Sequence, residues 1–244
     1  MRDTVNILGV NVDKMSFSET FEKAKALLEE DKLSSIFTPN PEIVMAATED
    51  EEFKNILNSA DIVTPDGIGV VYASKILKNS VCERVAGFDL SLKILEYAAK
   101  TKRGVFFFGA KPGVADKAKD NVQKTYPGLE ISGTENGYFK EEDEEKIVEK
   151  INNSGAEILF VCLGAPKQEK WIYKYKDKLN VKLCLGVGGT LDVLAGESKR
   201  APEIFIKLNL EWFYRIALNP SRWGRLMALP KFMFKVLKSK KGDK

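Results

Sequence analysis

Short apolar runs alternate with stretches of helical periodicity along most of this chain. Val105–Phe108 and Ile158–Leu163 are apolar runs of strand length, and the stretch Val114–Thr125 after the first has helical spacing. This alternation is typical of βαβ units, in which helices connect parallel strands and cover the sheet. The sequence therefore predicts an α/β fold with a doubly wound, mostly parallel, Rossmann-like sheet that carries helices on both faces.

One turn within this pattern carries a carboxylate. The β-branched run that ends at Thr64 is followed by Pro65, Asp66 and Gly67, and a helix is predicted to begin near Ile68. Proline biases the preceding residue toward extended geometry, and glycine accepts conformations that other residues avoid, so a strand should end here in a sharp turn. Open α/β sheets place their chemistry at the carboxyl ends of strands. Asp66 is therefore either a site residue or only the cap of the next helix, a role that aspartate fills well.

Three further strand ends carry glycine loops, at residues 109–113, 164–166 and 186–189. Glycine lets backbone N–H groups approach a phosphate closely, and the N-terminus of the following helix favours the negative charge. None of the three matches the P-loop or a complete G-x-G-x-x-G motif. Each loop alone is a weak signal, but three in one sheet favour a site for a nucleotide or a sugar nucleotide.

The residue types present exclude several kinds of chemistry. The chain contains no histidine, which removes Ser-His-Asp and Cys-His catalysis, histidine bases and His-ligated metals. No Asp-x-Asp follows a strand, and the acidic run 141–145 is interpreted as the solvated face of a helix, so neither a metal nor another cofactor is expected. Cys82, Cys162 and Cys184 are interpreted as reduced, buried residues, which fits the cytosol. We expect no signal peptide and no membrane span.

Charge is distributed unequally along the chain. Residues 196–244 carry 12 Lys and Arg against 4 Asp and Glu, a net charge of +8, whereas residues 1–195 carry −5. Two parts are therefore predicted: an α/β body (1–195) and a basic, amphipathic, helical C-terminal segment (196–244). The segment is expected to form helices at about 201–218 and 221–237, separated by Asn219-Pro220, and to meet an anionic partner.

The C-terminal segment combines arginines with large apolar residues. Arg215, Arg222 and Arg225 are interleaved with aromatic residues such as Trp212 and Trp223. Arginine binds phosphate bidentately, and tryptophan is favoured at membrane interfaces. A membrane surface is favoured over nucleic acid, because base stacking would not require the aliphatic residues of the segment. The alternative is that these apolar residues pack on the body and that the arginines are solvated.

A series of short motifs covers nearly the whole chain in order. They are Thr38-Pro-Asn40, Thr64-Pro-Asp-Gly-Ile-Gly69, Arg84-Val-Ala-Gly-Phe-Asp-Leu90, Phe108-Gly-Ala-Lys-Pro-Gly-Val114, Gly164-Ala-Pro-Lys-Gln-Glu-Lys-Trp171, Gly186-Val-Gly-Gly-Thr-Leu-Asp192, and Arg200-Ala-Pro202 with Leu210-Glu-Trp212. Together they resemble the motifs of the WecG/TagA/CpsF glycosyltransferases (glycosyltransferase family 26), and most of all the branch that acts in wall teichoic acid synthesis.

The resemblance implies an inverting hexosyltransferase. It would move N-acetylmannosamine from UDP-N-acetylmannosamine to undecaprenyl-diphosphate-linked N-acetylglucosamine in a β1,4 linkage, as a cytoplasmic protein attached peripherally to the inner face of the plasma membrane. Two alternatives stay open: the same fold with another UDP-sugar in capsule or common-antigen synthesis, and a nucleotide-binding membrane module without catalysis. The sequence leaves the oligomeric state open, a homo-oligomer included.

The resemblance also implies roles for individual residues. Without histidine, a carboxylate is the natural base for the attacking hydroxyl, and Asp66 matches the motif aspartate of the family. Arg84 is expected to offset the charge of the diphosphate. Thr38, Asn40 and Gln168 are expected to contact or orient the substrates, although each also suits a turn or a helix start.

Further substrate contacts are expected from the glycine loops and from the C-terminal segment. The residues concerned are Gly109, Gly113, Gly164, Lys167, Glu169, Gly188, Gly189, Asp192, Arg215, Arg222 and Arg225. We expect deletion of residues 196–244 to abolish transfer and to leave a folded, nucleotide-binding body.

Overall fold

The computed structural model describes residues 2–208, 210–217 and 227–242. The strands are β1 (Thr4–Ile7), β2 (Val10–Asp13), β3 (Ser34–Phe37), β4 (Ile62–Val63), β5 (Val105–Gly109), β6 (Ile131–Glu135), β7 (Ile158–Cys162) and β8 (Leu183–Gly186). The helices are α1 (Phe17–Leu28), α2 (Pro41–Ala47), α3 (Glu51–Ser59), α4 (Ile68–Ile76), α5 (Gly87–Thr101), α6 (Val114–Thr125), α7 (Glu144–Asn153), α8 (Lys167–Tyr175), α9 (Thr190–Leu194), α10 (Glu203–Lys207), α11 (Glu211–Ala217) and α12 (Ala228–Gly242).

Six of the strands form one parallel sheet in the order β4-β3-β8-β7-β5-β6. Helices cover both of its faces, so the predicted doubly wound α/β sheet is confirmed. Successive residues of a strand point to opposite faces. In β5, Phe106 and Phe108 belong to one apolar core, whereas Val105 and Phe107 belong to the other. Residues buried on both sides explain why these strands are apolar runs rather than alternating patterns.

The chain leaves two neighbouring strands in opposite directions, and this opens a crevice at the sheet edge. After β3 the chain enters α2, whose Val44 and Ala47 pack in the first core. After the adjacent strand β8 it enters α9, whose Leu191 packs in the second core on the other face. Open α/β sheets bind ligands at such a point, outside the carboxyl ends of the strands. The topology therefore places a cavity beyond β3 and β8.

The N-terminal region differs from the prediction of one strand over residues 5–10. β1 and β2 form an antiparallel hairpin, separate from the main sheet, whose turn at Leu8-Gly9 has positive φ at both residues. The carboxylate of Asp13, at the end of β2, accepts a hydrogen bond from the Val63 amide of β4 at 2.7 Å. A side chain thus satisfies a backbone donor on the two-residue edge strand, where no further strand pairs.

The described part of the C-terminal segment contains three helices. The single helix predicted over 201–218 is interrupted between α10 and α11, where Leu208 ends the first helix. Asn219-Pro220 and the predicted helix start at 221 lie outside the described residues. α12 packs against α2 and α4, and its Phe232 and Val236 are fully buried in the first core. The division at residue 195 stays a prediction, but deletion of 196–244 would uncover apolar surface of the body.

Gly69 permits the close approach of α4 to α12. A β-carbon at this position would lie 2.6 Å from Cδ1 of Leu229 and 2.6 Å from Cγ of Pro41. Contacts this short are repulsive, so a larger residue would force α2 or α12 away from α4. The second glycine of the Asp66-Gly67-Ile68-Gly69 turn therefore serves helix packing.

We predict that Phe232→Ala lowers the free energy of unfolding by about 3–5 kcal/mol, because it leaves a cavity between α12 and the body. Phe234 is the matched control, since it lies on the same helix but is 71% exposed. Its replacement with alanine should change the free energy by no more than about 0.5 kcal/mol. Chemical denaturation of both variants checks this, and equal small losses would contradict the docking of α12 on the body.

Candidate active site

A cavity of about 210 Å³ lies at the carboxyl ends of β3, β4 and β8, where the topology opens the crevice. Its walls come from the loops after these strands, the start of α5, and residues of α11 and α12. Four predicted catalytic residues line it: Thr38, Asn40, Asp66 and Arg84. The parallel register of the sheet explains the convergence, because strand ends that are far apart in sequence meet at one edge.

Asp66 lies in a turn that the sequence predicts well. Gly67 has a φ of +92°, a conformation that L-residues avoid, and α4 begins immediately after it. Asp66 does not cap α4, since the cap position is Gly67 and no side chain bonds there. Its Oδ2 instead accepts a hydrogen bond, at 3.4 Å, from the Gly87 amide at the start of α5. The carboxylate is 27% exposed and faces the cavity.

Arg84 lies between two carboxylates. Its Nη2 is 3.6 Å from Oδ1 of Asp66 and donates a hydrogen bond to Oε2 of Glu211 at 2.9 Å. Burial acts to lower the pKa of Arg84, but the charge of Asp66 and the hydrogen bond to Glu211 outweigh it and raise that pKa. Arg84 is therefore a permanent cation in the cavity. Cations in such positions stabilise developing phosphate charge.

Thr38 and Asn40 also hold the cavity wall in shape. The Thr38 hydroxyl donates to the Gly186 carbonyl at 3.1 Å and so joins the ends of β3 and β8. A β-carbon on Gly87 would lie 2.9 Å from the Thr38 hydroxyl oxygen, so α5 can start here only with glycine. Asn40 accepts a hydrogen bond from the Ile43 amide and is the N-cap of α2, as its position before proline predicts.

Gln168 lies behind the cavity rather than in its wall. Its Oε1 accepts hydrogen bonds from the amides of Gly164, at 3.2 Å, and Gly188, at 3.0 Å, which belong to the loops after β7 and β8. Its Nε2 donates to Oε1 of Glu169 at 2.8 Å. Both residues are buried in the first turn of α8. Through its two accepted hydrogen bonds, Gln168 positions two glycine loops in this structure.

Glu169 is a buried carboxyl group. Burial raises its pKa from 4.5 to about 7, although the hydrogen bond from Gln168 opposes the shift. Its Oε2 has no hydrogen-bond partner within the described part of the chain. A carboxyl group in this environment favours its neutral form. Glu169 therefore carries a proton over part of the physiological pH range.

The other predicted loop residues lie along the sheet edge, and only Gly189 among them lines the cavity. Gly109 has a φ of +130°, and a β-carbon there would collide with the backbone of Cys162. Lys167 stacks on the Phe139 ring, with its Nζ 4.0 Å from the ring centroid. The carbonyl of Asp192 accepts the amides of Glu197 and Ser198. Substrate contacts by Gly109, Gly113, Gly164, Lys167, Glu169, Gly188 and Asp192 stay predictions.

The predicted arginines of the C-terminal segment lie beyond what the structure describes. Arg222 and Arg225 are outside the described residues, and the side chain of Arg215 is not described. Their neighbours Trp212 and Leu229 line the cavity. The C-terminal segment therefore contributes directly to the cavity wall through these two residues.

Glu211 lines the cavity, and the sequence analysis predicted no role for it. The motif Leu210-Glu-Trp212 contains it, and a carboxylate among apolar residues is itself a signal, because carboxylates are seldom buried unpaired. Its side chain is 9% exposed, and Arg84, with which it pairs, is 127 residues away in sequence. Proximity to Arg84 depends on tertiary packing, which the sequence pattern does not reveal.

No cluster of three or more His, Cys, Asp and Glu side chains in the described residues has a geometry that could hold a metal ion. None of the described helices has the length and apolar character needed to cross a bilayer. Cys162 and Cys184 are buried free thiols as predicted, whereas Cys82 is exposed, which corrects the prediction that all three are buried.

Comparison with known proteins gives the same family over the whole chain. Residues 5–244 match the Glycosyl transferase WecG/TagA/CpsF family. The chain is 38% identical to an N-acetylglucosaminyldiphosphoundecaprenol N-acetyl-beta-D-mannosaminyltransferase of Bacillus subtilis (strain 168), over 98% of this chain and 92% of the relative. Proteins of the same name are 40% identical in Bacillus spizizenii, over 88% and 83%, and 38% identical in Staphylococcus aureus (strain MRSA252), over 97% and 93%.

The raised pKa of Glu169 predicts a dependence of stability on pH. Between pH 4.5 and about 7 the unfolded chain loses this proton while the folded chain retains it, so the wild type loses stability as the pH rises. We expect Glu169→Gln, which cannot ionise, to gain up to about 3 kcal/mol relative to wild type between pH 4.5 and pH 8.

Urea denaturation at the two pH values measures this difference. Glu149→Gln is the matched control, because Glu149 is exposed on α7 and water solvates its carboxylate in both states. A stability difference between Glu169→Gln and wild type that is the same at both pH values would contradict a neutral Glu169 in the folded state.

Proposed function

Because the chain belongs to the WecG/TagA/CpsF glycosyltransferase family, we propose that it transfers N-acetylmannosamine from UDP-N-acetylmannosamine to undecaprenyl-diphosphate-linked N-acetylglucosamine, an early step of wall teichoic acid synthesis. The observation that carries the proposal is the match to relatives named for this transfer over 88–98% of the chain. The names of these relatives, matched over 83–93% of their own length, favour this donor over the other UDP-sugars.

The proposed reaction is a displacement at the anomeric carbon of the donor. A hydroxyl of the acceptor sugar forms the new C–O bond while the bond from that carbon to the UDP oxygen breaks, and UDP leaves with the electron pair. The attacking hydroxyl gives up its proton, and a base must accept it. Displacement from the face opposite the leaving group inverts the anomeric centre and gives the β1,4 linkage.

Asp66 is the proposed base. Its carboxylate faces the cavity from a rigid turn, and no histidine is available in the sequence for the task. Its hydrogen bond from Gly87 holds one oxygen at the N-terminus of α5.

Arg84 is the proposed stabiliser of the leaving diphosphate. Its guanidinium lies in the same cavity as Asp66 and stays charged. Charge stabilisation by an arginine and by the backbone amides of glycine loops would replace the metal ion that many sugar-nucleotide enzymes use, and we propose that the transfer is metal-independent. Thr38 and Asn40, which line the same cavity, would contact substrate hydroxyls, and Gln168 would act by holding the glycine loops.

The lipid-linked acceptor requires the enzyme to work at a membrane surface. We assign this contact to the basic C-terminal segment on the inner face of the plasma membrane, in accord with its net charge of +8. Part of that segment already forms the cavity wall through Trp212 and Leu229. Arg215, Arg222 and Arg225 would meet a diphosphate there.

A transfer assay tests the donor, the acceptor and the metal requirement together. We predict product from UDP-N-acetylmannosamine and a short-chain diphosphate-linked N-acetylglucosamine, at a rate that EDTA changes by less than about two-fold, because cationic side chains and backbone amides carry the diphosphate charge. UDP-N-acetylglucosamine is the matched control donor, since it differs only in the orientation at one carbon.

Three outcomes would contradict the proposal in different ways. Faster transfer from the control donor would reassign the substrate, and loss of activity in EDTA would overturn metal independence. Binding of UDP without transfer from either donor would favour a non-catalytic module.

A further inference from the structure

The cavity contains a second carboxylate whose contact with Arg84 is shorter than that of Asp66. Glu211 Oε2 is 2.9 Å from Arg84 Nη2, within hydrogen-bond distance, whereas Asp66 Oδ1 is 3.6 Å from the same nitrogen. The contact with Glu211 is a charge-assisted hydrogen bond, whereas the contact with Asp66 is an ion pair that is too long for a hydrogen bond. One guanidinium nitrogen is thus shared unequally by two acids.

Both ends of this interaction are fixed by the surrounding chain. The backbone beside Arg84 is tied to the Asp66 turn, because the Val85 amide donates to the Pro65 carbonyl at 3.1 Å. Glu211 is fixed by the packing of α11 on α10, where the rings of Phe205 and Tyr214 lie 5.0 Å apart. These contacts hold the chain segments that carry Arg84 and Glu211 beside the Asp66 turn.

The unequal sharing affects the two proposed tasks of the site. A guanidinium paired directly with a carboxylate stabilises its charge and weakens it as a base. Direct pairing of Arg84 with Asp66 would therefore hinder proton transfer to Asp66. It would also direct the arginine away from the leaving diphosphate. Glu211 is a competing acceptor for the same guanidinium nitrogen.

We propose that Glu211 is a positioning residue for the transfer reaction: it holds Arg84 at a distance at which the guanidinium acts on the diphosphate without forming a direct pair with Asp66. The inference rests on the function proposed above. It makes the C-terminal segment part of the catalytic geometry through a side chain of α11, in addition to any contact with a membrane.

The charges near Arg84 agree with this role. Asp66, Glu211 and, at longer range, Asp89 all favour its cationic form. Asp89 is itself paired with Arg200, whose guanidinium lies over the Phe88 ring. Among the described side chains, Glu211 accepts a hydrogen bond from Arg84 Nη2, and this bond helps to orient the guanidinium.

The test compares Glu211→Gln with Glu197→Gln in the full chain. Glutamine keeps the size and one acceptor oxygen of Glu211 but removes the charge, so a packing role alone would survive the change. Glu197 is a matched control, because it pairs with Lys117 at 2.6 Å on a half-exposed surface outside the cavity. Transfer kinetics with UDP-N-acetylmannosamine give kcat and KM separately, and thermal unfolding reports whether each variant folds.

We expect Glu211→Gln to lower kcat by about 10- to 100-fold, the effect of losing one charge-assisted hydrogen bond, with KM for the donor within about three-fold of wild type. Glu197→Gln should match wild type in both constants. Glu211→Asp keeps the charge, but its side chain is one methylene shorter and places the carboxylate farther from Arg84. Its kcat should therefore lie between those of wild type and Glu211→Gln.

Two results would overturn the inference. An unchanged kcat with a lower KM would mean that Glu211 only competes with the donor for Arg84. Unchanged values of both constants would mean that it has no role in transfer. If Glu211→Gln does not fold, Glu211→Asp decides: a kcat equal to wild type overturns the inference, and a reduced kcat at constant KM supports it. Failure of the wild type to transfer any sugar would instead refute the proposed function.

Discussion

The guanidinium of Arg84 joins two distant parts of the chain at one point. Asp66 comes from the turn after an edge strand, and Glu211 comes from a helix near the C-terminus, 127 residues from Arg84. A partly buried cation is costly unless charges of opposite sign lie near it, so the two carboxylates stabilise Arg84 in the cavity. The C-terminal region is thereby linked to the site by charge as well as by the apolar contacts of α12.

The sheet provides the frame within which this pairing is formed. Because α2 and α9 leave adjacent strands toward opposite faces, the edge beyond β3 and β8 stays open, and α5 closes one side of it at Gly87. A small residue is needed where the backbone of α5 approaches a side chain closely, as Gly87 does against Thr38. The hydrogen bonds of Gln168 join the neighbouring glycine loops behind the cavity. The strands and the short turns that follow them thus position Asp66 and Arg84, and the glycine loops form the surroundings of the cavity.

Much of this could be predicted from local sequence, and the remainder depends on tertiary contacts. The apolar runs predict the parallel sheet, and the Pro65-Asp66-Gly67 turn predicts a carboxylate at a strand end, because these patterns act over a few residues. The N-terminal hairpin was missed since its turn uses positive φ at Leu8, which is not a typical turn residue. The burial of Gln168 and the pairing of Glu211 with Arg84 across 127 residues are not visible in the sequence, because both depend on tertiary packing.

The central claim is that Asp66 accepts the proton of the attacking hydroxyl, and the rate of the chemical step in Asp66→Asn tests it most directly. Asparagine keeps the shape but cannot act as the base, so the single-turnover rate should fall by about 100- to 10,000-fold while the affinity for the UDP-sugar stays within about three-fold of wild type. Asp61→Asn, at the opposite end of β4, is the matched control and should transfer at the wild-type rate. A rate for Asp66→Asn within a few-fold of wild type would exclude Asp66 as the base.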